Sequence, residues 1–505
     1  MTPRNRRPRT AHVVFLLALC SCIASAQKNV PFPEDQLRTQ ETAAHLRFLA
    51  SDELLGRMTG SQSIDVAARY IAEQYREWQL EVFPGMEGYF QEVPLQRRTP
   101  SADGQLVLLG DTLLQGKKMI TRSGGPLEWK GEYVYVNFGW IDPAKKTDDY
   151  YGIDAKGKTV IARFGGEGNP SPMAAMELSA SKRKFAADHG AVAFIELYKG
   201  NFAWRSLAGF LGRSGIELGV SGPDLAHFMV EDTSLAIAAR LQKQVQGSVS
   251  IKSGGIRREP IRARNVIGYI KGSDPKLRDE YVLLTAHYDH LGTGRGRGAS
   301  SDTIFNGARD NAMGVVALIE AAKAFSIQPP RRSVIIAAVT GEEIGEFGSR
   351  HLSENPPVPM DHIVFDLNSD GAGFDDTTIV TVVGLERTTA EGAIQAGSER
   401  YGLKAIADPV PEQRLFDRSD NVNFAVLGVP APTYSAGFRS FGEEIMKYYH
   451  KAEDQVDDSF NFSYFLKFCK AYVHSARLIS DMKDKPFWKP GDKYEAAGKK
   501  LYRVR

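Results

Sequence analysis

The sequence predicts a layered α/β fold with a largely parallel central sheet, interrupted by a β-rich module. Apolar runs of buried-strand length recur late in the chain, and a helix with one apolar face lies among them. The strand runs are 281–286, 333–339, 362–367 and 378–383, and the helix is 311–325. Alternation of strands and helices is typical of α/β layers. Between 83 and 255, short β-branched runs separated by Gly and Pro clusters indicate a separate compact core.

The segments outside these two regions are predicted to be mainly helical. Apolar residues recur at steps of three and four over 38–50 and 62–80, which predicts two amphipathic helices. One further helix is predicted inside the β-rich stretch, at 181–189. The end of the chain, 481–505, is basic and contains proline, and we expect a surface tail with a short helix.

Composition excludes several classes of protein. The 505 residues are 42% hydrophobic and 25% charged, which is ordinary globular usage and excludes both general disorder and a polytopic membrane protein. Lys and Arg number 63 against 61 Asp and Glu, so the formal net charge is +2. Without a strong positive charge or a basic stripe in the body of the chain, we expect no nucleic-acid partner.

The first 26 residues have the pattern of a signal peptide. Four arginines precede an apolar run from Val13 to Ile23, and Ala24-Ser25-Ala26 provides a cleavage site before Gln27. The run is short for a membrane anchor, so we expect an exported chain with a periplasmic or secreted location and no membrane span after cleavage. Cleavage would leave Cys469 as the remaining cysteine, in a helical stretch where it is expected to be buried.

Acidic residues and histidines fall where predicted strands end or helices begin. They are His287, Asp289, Asp310, Glu342, Glu343, Asp370 and His450. Ligands of open α/β sheets bind beyond the carboxyl ends of the strands, so separate segments would bring these side chains to one edge. Two imidazoles and three carboxylates suit a pair of zinc ions that share one carboxylate, and a further carboxylate is available as a base. Asp289 is placed to orient His287 from behind.

Five sequence stretches, in order, resemble the co-catalytic di-zinc aminopeptidases, a family that includes bacterial leucyl aminopeptidases, glutamate carboxypeptidase II and the transferrin receptor. The stretches are HYDHLG at 287–292, NGARDNA at 306–312, TGEE at 340–343, NSDGAG at 368–373 and Tyr449-His450. The resemblance covers about 38–80 and 260–480. It implies a three-layer α/β/α fold with a mixed, largely parallel sheet, and an exopeptidase that removes N-terminal residues from peptides.

The resemblance also implies a division of the chain. Residues 1–26 would be the signal peptide, 27–82 and 256–485 a discontinuous zinc peptidase domain, and 486–505 a C-terminal tail. Residues 83–255 resemble the protease-associated insertion of some members.

A role for each site residue follows from the same resemblance. His287 and Asp370 would bind one zinc ion, Glu343 and His450 the other, and Asp310 would bridge both. Glu342 would be the general base and Tyr449 would stabilise the oxyanion. Arg418-Ser419-Asp420 matches a stretch near the substrate pocket. The chain departs from the family at Arg309, where Asp is usual, and at Asn421, where His is usual.

Some alternatives stay open on the sequence. Asp366 is the rival of Asp370, Tyr448 is the rival of Tyr449, and His290 is expected to be structural. A carboxypeptidase or dipeptidase of the same architecture, a glutaminyl cyclase with one zinc ion, and a non-catalytic receptor-like protein are the other functions considered. Side-chain preference, native metal and oligomeric state are not predicted.

Overall fold

A computed structural model describes residues 31–166, 168, 172–219, 224–294 and 301–504. The predicted signal peptide, 1–26, lies outside the described residues. The helices are α1 (Thr39–Leu49), α2 (Gln62–Glu77), α3 (Pro172–Asp188), α4 (Trp204–Leu211), α5 (Ala236–Lys243), α6 (Met313–Ile327), α7 (Phe347–Glu354), α8 (Glu391–Glu399), α9 (Val422–Ala425), α10 (Glu443–Tyr448), α11 (Phe462–Asp481) and α12 (Glu495–Leu501).

The strands form two large sheets and smaller ones. In chain order they are β1 (Phe90–Glu92), β2 (Leu95–Pro100), β3 (Gly104–Leu108), β4 (Asp111–Leu114), β5 (Met119–Ser123), β6 (Leu127–Tyr135), β7 (Ile141–Asp142), β8 (Thr147–Asp148), β9 (Thr159–Arg163), β10 (Ala193–Tyr198), β11 (Gly215–Leu218), β12 (Ala226–Glu231), β13 (Gln246–Ser253), β14 (Ile256–Ile261), β15 (Arg264–Ile270), β16 (Tyr281–His287), β17 (Gly292–Thr293), β18 (Ile304–Phe305), β19 (Ser333–Val339), β20 (Ile363–Ser369), β21 (Ile379–Val383), β22 (Lys404–Ile406) and β23 (Thr433–Ala436).

The first sheet has the order β1-β15-β19-β16-β20-β23-β21-β22. The pairs β16–β19, β16–β20, β20–β23 and β21–β22 are parallel, whereas β15–β19 and β21–β23 are antiparallel. Every residue of β19 and β20 is buried, as expected for strands covered on both faces. The predicted mixed, largely parallel α/β fold is confirmed.

Helix α6 lies in the middle of the main core. Its sequence is apolar nearly all round, and such a helix is stable only when protein covers it on all sides. It packs against β16, β19, α11 and the N-terminal helix α1. Cys469 is buried on α11 in the same core. The helix begins directly after the turn that carries Asp310, so this core fixes the position of that carboxylate.

The second sheet contains residues from 104 to 253 and has the order β4-β3-β13-β6-β9-β10-β12-β5. Its middle strands β6, β9, β10 and β12 are parallel. The described residues of this region form three helices, α3, α4 and α5, where the sequence predicted one, so it is an α/β module rather than a purely β-rich one. Its resemblance to a protease-associated insertion, and the predicted domain boundaries, stay predictions.

The C-terminal segment is anchored to the body of the molecule. The Trp488 side chain is buried, its indole N–H donates to the Gly428 carbonyl over 2.9 Å, and its ring packs near Phe416. In the part of the chain that the structure describes, no helix combines the length and the apolarity needed to cross a membrane.

Candidate metal centre

Two neighbouring parallel strands bring His287 and Asp370 together. His287 is the last residue of β16 and Asp370 directly follows β20, the strand beside it. The His287 Nε2 atom lies 3.2 Å from Asp370 Oδ1. The other ring nitrogen, Nδ1, is 3.1 Å from the backbone oxygen of Asp289, which fixes the ring orientation. The Ser419 hydroxyl donates to Asp370 Oδ2 over 2.6 Å and holds that carboxylate from the opposite side.

Asp310 lies in an irregular turn, Ala308–Ala312, that leads into α6, and the backbone angles of Asp310 and Asn311 are not helical. Gly307 begins the turn at φ +59°, where a Cβ atom would overlap the Asp310 carbonyl and the His290 ring, so only glycine fits. The Asn311 side chain donates to the Ser369 carbonyl over 2.8 Å and ties the turn to the end of β20. Asp310 Oδ1 lies 3.3 Å from His287 Nε2, and Oδ2 lies 3.4 Å from His450 Nε2. Its two oxygens therefore face different histidines.

Glu343 lies on the far side of Asp310 with two histidines. Its Oε2 atom is 3.2 Å from His450 Nε2, and its Oε1 atom is 2.6 Å from His290 Nδ1. His290, which the sequence suggested was structural, thus contacts a predicted ligand. Two groups within metal-binding reach emerge from the described residues: His287, Asp310 and Asp370, and His290, Asp310 and Glu343. The groups share Asp310, and His450 adjoins the second.

The residues fit divalent cations by their chemistry. Imidazole nitrogens and carboxylate oxygens are the donors that zinc prefers. Among the described residues that line this acidic cavity of about 420 Å³, six carboxylates stand against one arginine, Arg418. The Nε2 atom of the buried His290 makes no hydrogen bond within the described part of the chain, whereas its Nδ1 atom contacts Glu343. Dense like charge and an unsatisfied buried imidazole nitrogen both favour bound cations.

Charge in the cavity shifts its histidines toward the cationic form. Burial lowers the pKa of His450, but contacts with Asp310 and Glu343 outweigh it and raise the pKa to about 10. For His287, burial is likewise outweighed by Asp370 and Glu342, and its pKa is well above the usual value. The cavity thus stabilises positive charge at both ends of Asp310.

Glu342, the predicted base, lines the cavity without belonging to either group. Its backbone N–H donates to Asp289 Oδ1 over 3.2 Å, and Thr59 donates to the other Asp289 oxygen over 3.0 Å. Burial raises the pKa of Glu342, and the carboxylate of Asp370 adds to the effect against the opposing influence of His287. A carboxylate held in this way is a stronger proton acceptor than one in water.

The alternatives from the sequence differ in their positions. Tyr449 lines the cavity, and its hydroxyl accepts a hydrogen bond from Arg418 over 3.2 Å. Tyr448 instead packs under the guanidinium of Arg309 at 3.7 Å. Asp366 is buried within β20, where Thr285 donates to it over 2.9 Å, and it is in neither candidate metal group. Asn421 donates to the carbonyls of Phe416 and Ala431 and is a structural link.

Two supporting residues were not found from the sequence. Buried Arg57 donates to the backbone oxygens of Tyr288 and Gly307 over 2.9 Å each, which joins the His287 loop to the Asp310 turn. Asp454 accepts the backbone N–H groups of Arg309 and Asp310 over 2.9 and 3.0 Å. It also pairs with the Arg309 side chain at 3.2 Å. No motif marks either residue, since a single buried Arg or Asp has no sequence pattern of its own.

Comparison with known proteins identifies the family of the central region. Residues 265–464 match the model described as peptidase family M28. The family prediction is therefore confirmed for this part of the chain. The predicted enzyme class, a zinc-dependent peptidase, is confirmed at the level of the M28 family.

Curated relatives match a shorter stretch. A vacuolar membrane protease of Paracoccidioides lutzii is 30% identical over 145 residues, 25% of this chain and 14% of that protein. A probable zinc metalloprotease of Leptosphaeria maculans is 32% identical over 114 residues, 23% of this chain and 25% of that protein. The chain thus spans a minor part of these relatives.

Solved structures resemble the chain over more of its length. An aminopeptidase from Aneurinibacillus sp. strain AM-1 has a TM-score of 0.49 at 20% identity, covering 88% of this chain and 94% of that one. A zinc aminopeptidase from Bacillus subtilis has a TM-score of 0.46 at 18% identity, covering 93% and 98%.

The comparisons correct the predicted location. A periplasmic or secreted location is wrong, because several of the matched relatives are named vacuolar membrane proteases. A basic segment followed by an apolar run indicates targeting but does not distinguish one destination from another.

Proposed function

We propose that the M28 region is a two-zinc aminopeptidase that removes N-terminal residues from peptides. The observation that carries the proposal is the position of Asp310, whose two oxygens each face a different histidine and acid. In this arrangement His287 and Asp370 would hold one ion, Glu343 and His450 would hold the other, and Asp310 would contribute to both sets. When bound, the pair of ions would polarise the scissile carbonyl and lower the pKa of a nearby water.

The chain's own residues supply the proton transfers. Glu342 lies beside both groups, and Asp289 fixes its backbone. Its carboxylate accepts a proton from the attacking water and then delivers that proton to the leaving amine. Tyr449 accepts a hydrogen bond from Arg418, which leaves its own hydroxyl proton free to donate to the developing oxyanion.

Acidic surroundings favour the amino end of a substrate. Glu346 lines the cavity in addition to the metal-binding carboxylates and attracts a substrate ammonium group, whereas Asp417 already pairs with Arg414 and Lys493. Ala372, Phe438, Phe441 and Ile445 form an apolar wall beside them, which suits an apolar first side chain. A cavity of this composition binds a free α-amine better than a blocked one.

His290 is a second candidate for the ligand of the second ion. It lies 2.6 Å from Glu343 and belongs to the compact group with Asp310, whereas His450 is at 3.2 Å from Glu343. Comparing His290→Asn with His450→Asn by zinc quantitation separates the two assignments. We expect His450→Asn to lose about one ion per chain and His290→Asn to keep two, and the opposite pattern transfers the role to His290.

Metal content and end preference together test the proposal. We expect about two zinc ions per chain, hydrolysis of free-amine peptides, and no hydrolysis of the same peptides after N-acetylation. Glu342→Gln should keep the metal but lose roughly 10²–10⁴-fold in turnover. Trimming from the carboxyl end would instead favour the carboxypeptidase, for which Arg418 in the cavity offers a carboxylate contact. A metal-loaded chain without hydrolysis would favour a receptor-like protein.

A further inference from the structure

A second, larger cavity lies beside the second sheet. It has a volume of about 1220 Å³, above the range of most ligand pockets. Its walls include Arg163 at the end of β9, Tyr198 at the end of β10, and residues directly after both strands. Since β9 and β10 are parallel, the cavity lies beyond their carboxyl ends, where ligands bind in open α/β sheets.

Five aromatic side chains contribute to the walls of this second cavity, which are otherwise largely aliphatic or glycine. Phe138, Phe164, Tyr198, Phe202 and Phe210 all line it. Phe202 and Phe210 are 56% and 72% exposed, which is unusual for side chains of this size. Contiguous exposed aromatic surface next to a cavity is typical of a binding site.

Among the described residues that line the second cavity, the charged ones are all basic. Arg163, Lys199 and Arg414 line it, and none of its described lining residues is acidic. Within the described chain, Arg163 and Lys199 have no carboxylate within ion-pair distance. The Arg163 guanidinium is held instead over the Phe138 ring at 4.4 Å. A ligand with an apolar body and one negatively charged group would complement both the aromatic side chains and the unpaired basic residues.

The wall around Arg163 is fixed by a buried polar cluster. Lys182 donates to the carbonyls of Arg163 and Gly165 over 2.7 and 3.1 Å. The same ammonium lies 2.6 Å from Glu196, which also accepts a hydrogen bond from Ser179. Because Lys182 and Glu196 are fully buried, the strand ends that carry the cavity are preformed.

One short segment of chain joins the two cavities. Arg414 lines the second cavity, while Leu415, Asp417 and Arg418 line the acidic one. Four consecutive peptide steps separate the Cα atoms of Arg414 and Arg418 by at most about 15 Å. An extended peptide of roughly four to six residues therefore reaches from one cavity to the other.

We propose that the second cavity binds the carboxyl-terminal residue of a short peptide whose amino end lies in the acidic cavity. The apolar C-terminal side chain contacts the aromatic wall, and the terminal carboxylate contacts Arg163 and Lys199, since Arg414 already pairs with Asp417 at 3.1 Å. The acidic cavity attracts the positive end of the peptide and the basic cavity the negative end. The inference rests on the proposed aminopeptidase and extends it to a substrate class: short peptides with an apolar C-terminal residue and a free carboxylate.

The kinetic test uses the zinc-loaded full chain and a pentapeptide, Leu-Gly-Gly-Gly-Phe. Its C-terminal amide and its glycine-ended analogue lack one feature each, and leucyl p-nitroanilide is too short to reach the second cavity. We expect KM for the free acid to be about tenfold lower than for either analogue, with little change in kcat. Equal KM values for the three peptides, with hydrolysis intact, overturn the inference while the proposed function stands.

Variants locate the effect in the cavity. Phe210→Ser removes an exposed ring, and Lys199→Gln removes an exposed cation. We expect Phe210→Ser to abolish the preference for Phe over Gly, and Lys199→Gln to reduce the preference for acid over amide. Neither should change turnover of leucyl p-nitroanilide. Tyr151→Ser is the matched control, since Tyr151 is 88% exposed in the same module and does not line the cavity. Preferences that survive in Phe210→Ser contradict the assignment.

Calorimetry separates this inference from the proposed function. The pentapeptide acid, its amide and octanoate are each titrated into the Glu342→Gln chain and into the same chain with Phe210→Ser. Tighter binding of the acid that depends on Phe210 supports the inference, even if no hydrolysis is seen with the unaltered chain. Binding that is the same with Ser at 210 overturns it. Phe210-dependent binding of octanoate without peptide binding also overturns it and identifies a fatty acid as the occupant.

Discussion

The two sheets each carry a cavity beyond the carboxyl ends of parallel strands, but the cavities differ in composition. The acidic cavity, of about 420 Å³, brings together histidines and carboxylates from β16, β20 and the turn before α6. The second cavity, of about 1220 Å³, has aromatic walls and basic residues. In the two proposals, the same topological position would hold cations in one sheet and the apolar, negatively charged end of a peptide in the other.

The difference also explains why one cavity could be predicted and the other could not. Several acids and histidines that each follow an apolar strand are conspicuous as a set, because charged side chains are rarely buried unless they have partners. No such signal marks Phe164, Phe202 and Phe210, because the sequence does not distinguish a phenylalanine that lines a cavity from one in the core.

The largest effect should come from breaking the shared ligand of the acidic cavity. Asp310→Asn should reduce bound zinc from about two ions to one or none and lower kcat/KM by about 10³-fold or more, because metal stabilisation of the transition state amounts to several kcal/mol. Metal quantitation and peptide hydrolysis measure it. Asp366→Asn is the control, because Asp366 is buried outside both candidate metal groups and its replacement should leave both ions bound. Loss of metal in Asp366→Asn rather than in Asp310→Asn would make Asp366 a ligand.

Disrupting the buried polar cluster of the second sheet should lower the stability of the protein without changing its catalytic activity. Lys182→Met removes the ammonium group from the buried Glu196 carboxylate and leaves it with His227 and Ser179 as partners, and we expect a loss of about 3–5 kcal/mol in the free energy of unfolding. Denaturant unfolding followed by circular dichroism measures the change. Lys184→Met on the same helix breaks an exposed pair with Asp188 and should cost less than about 0.5 kcal/mol. Equal losses for the two variants would show that the buried cluster does not hold the sheet.

Acid should weaken the same cluster. Burial opposes ionisation of Glu196, but Lys182 and His227 outweigh it and lower its pKa to about 2. A carboxylate with a depressed folded-state pKa contributes stability above its unfolded value near 4.5, and that contribution is lost as pH falls from about 4.5 to 2. Unfolding at pH 5 and pH 3 should show a smaller loss in the chain with Glu196→Gln than in the unaltered one. A parallel loss in both would exclude Glu196 as a source of acid sensitivity.

The smallest expected effect is a difference in affinity between the two proposed zinc sites of the acidic cavity. Arg309 pairs with Asp454 and packs on Tyr448, beside the turn that carries His450. Arg309→Met should weaken the second zinc ion by about 10–100-fold and the first one less, because outer residues orient ligands. Zinc titration against a chelator measures both affinities. Arg309→Lys retains the charge and should recover part of the loss; equal weakening of both ions would mean that Arg309 acts on Asp310 alone.

Much of the fold followed from periodicity, and the exceptions have physical reasons. The strand expected at 333–339 is Ser333–Val339, since a fully buried apolar run has one stable environment. Helix α6 begins at Met313 rather than 311, because Asp310 and Asn311 have non-helical backbone angles in the irregular turn Ala308–Ala312. In the second sheet, the short apolar runs of the sequence did not distinguish β-strands from helices such as α4, because a short apolar run fits either. Arg57 and Asp454 contact the backbone of segments that are distant in sequence, so no local pattern could predict these contacts.

Anomalous diffraction from crystals grown with zinc tests the central assignment most directly. We expect two peaks about 3.5–4 Å apart on either side of the Asp310 carboxylate, one beside His287 and Asp370 and the other beside Glu343 and His450. A single peak, or peaks away from Asp310, would contradict it.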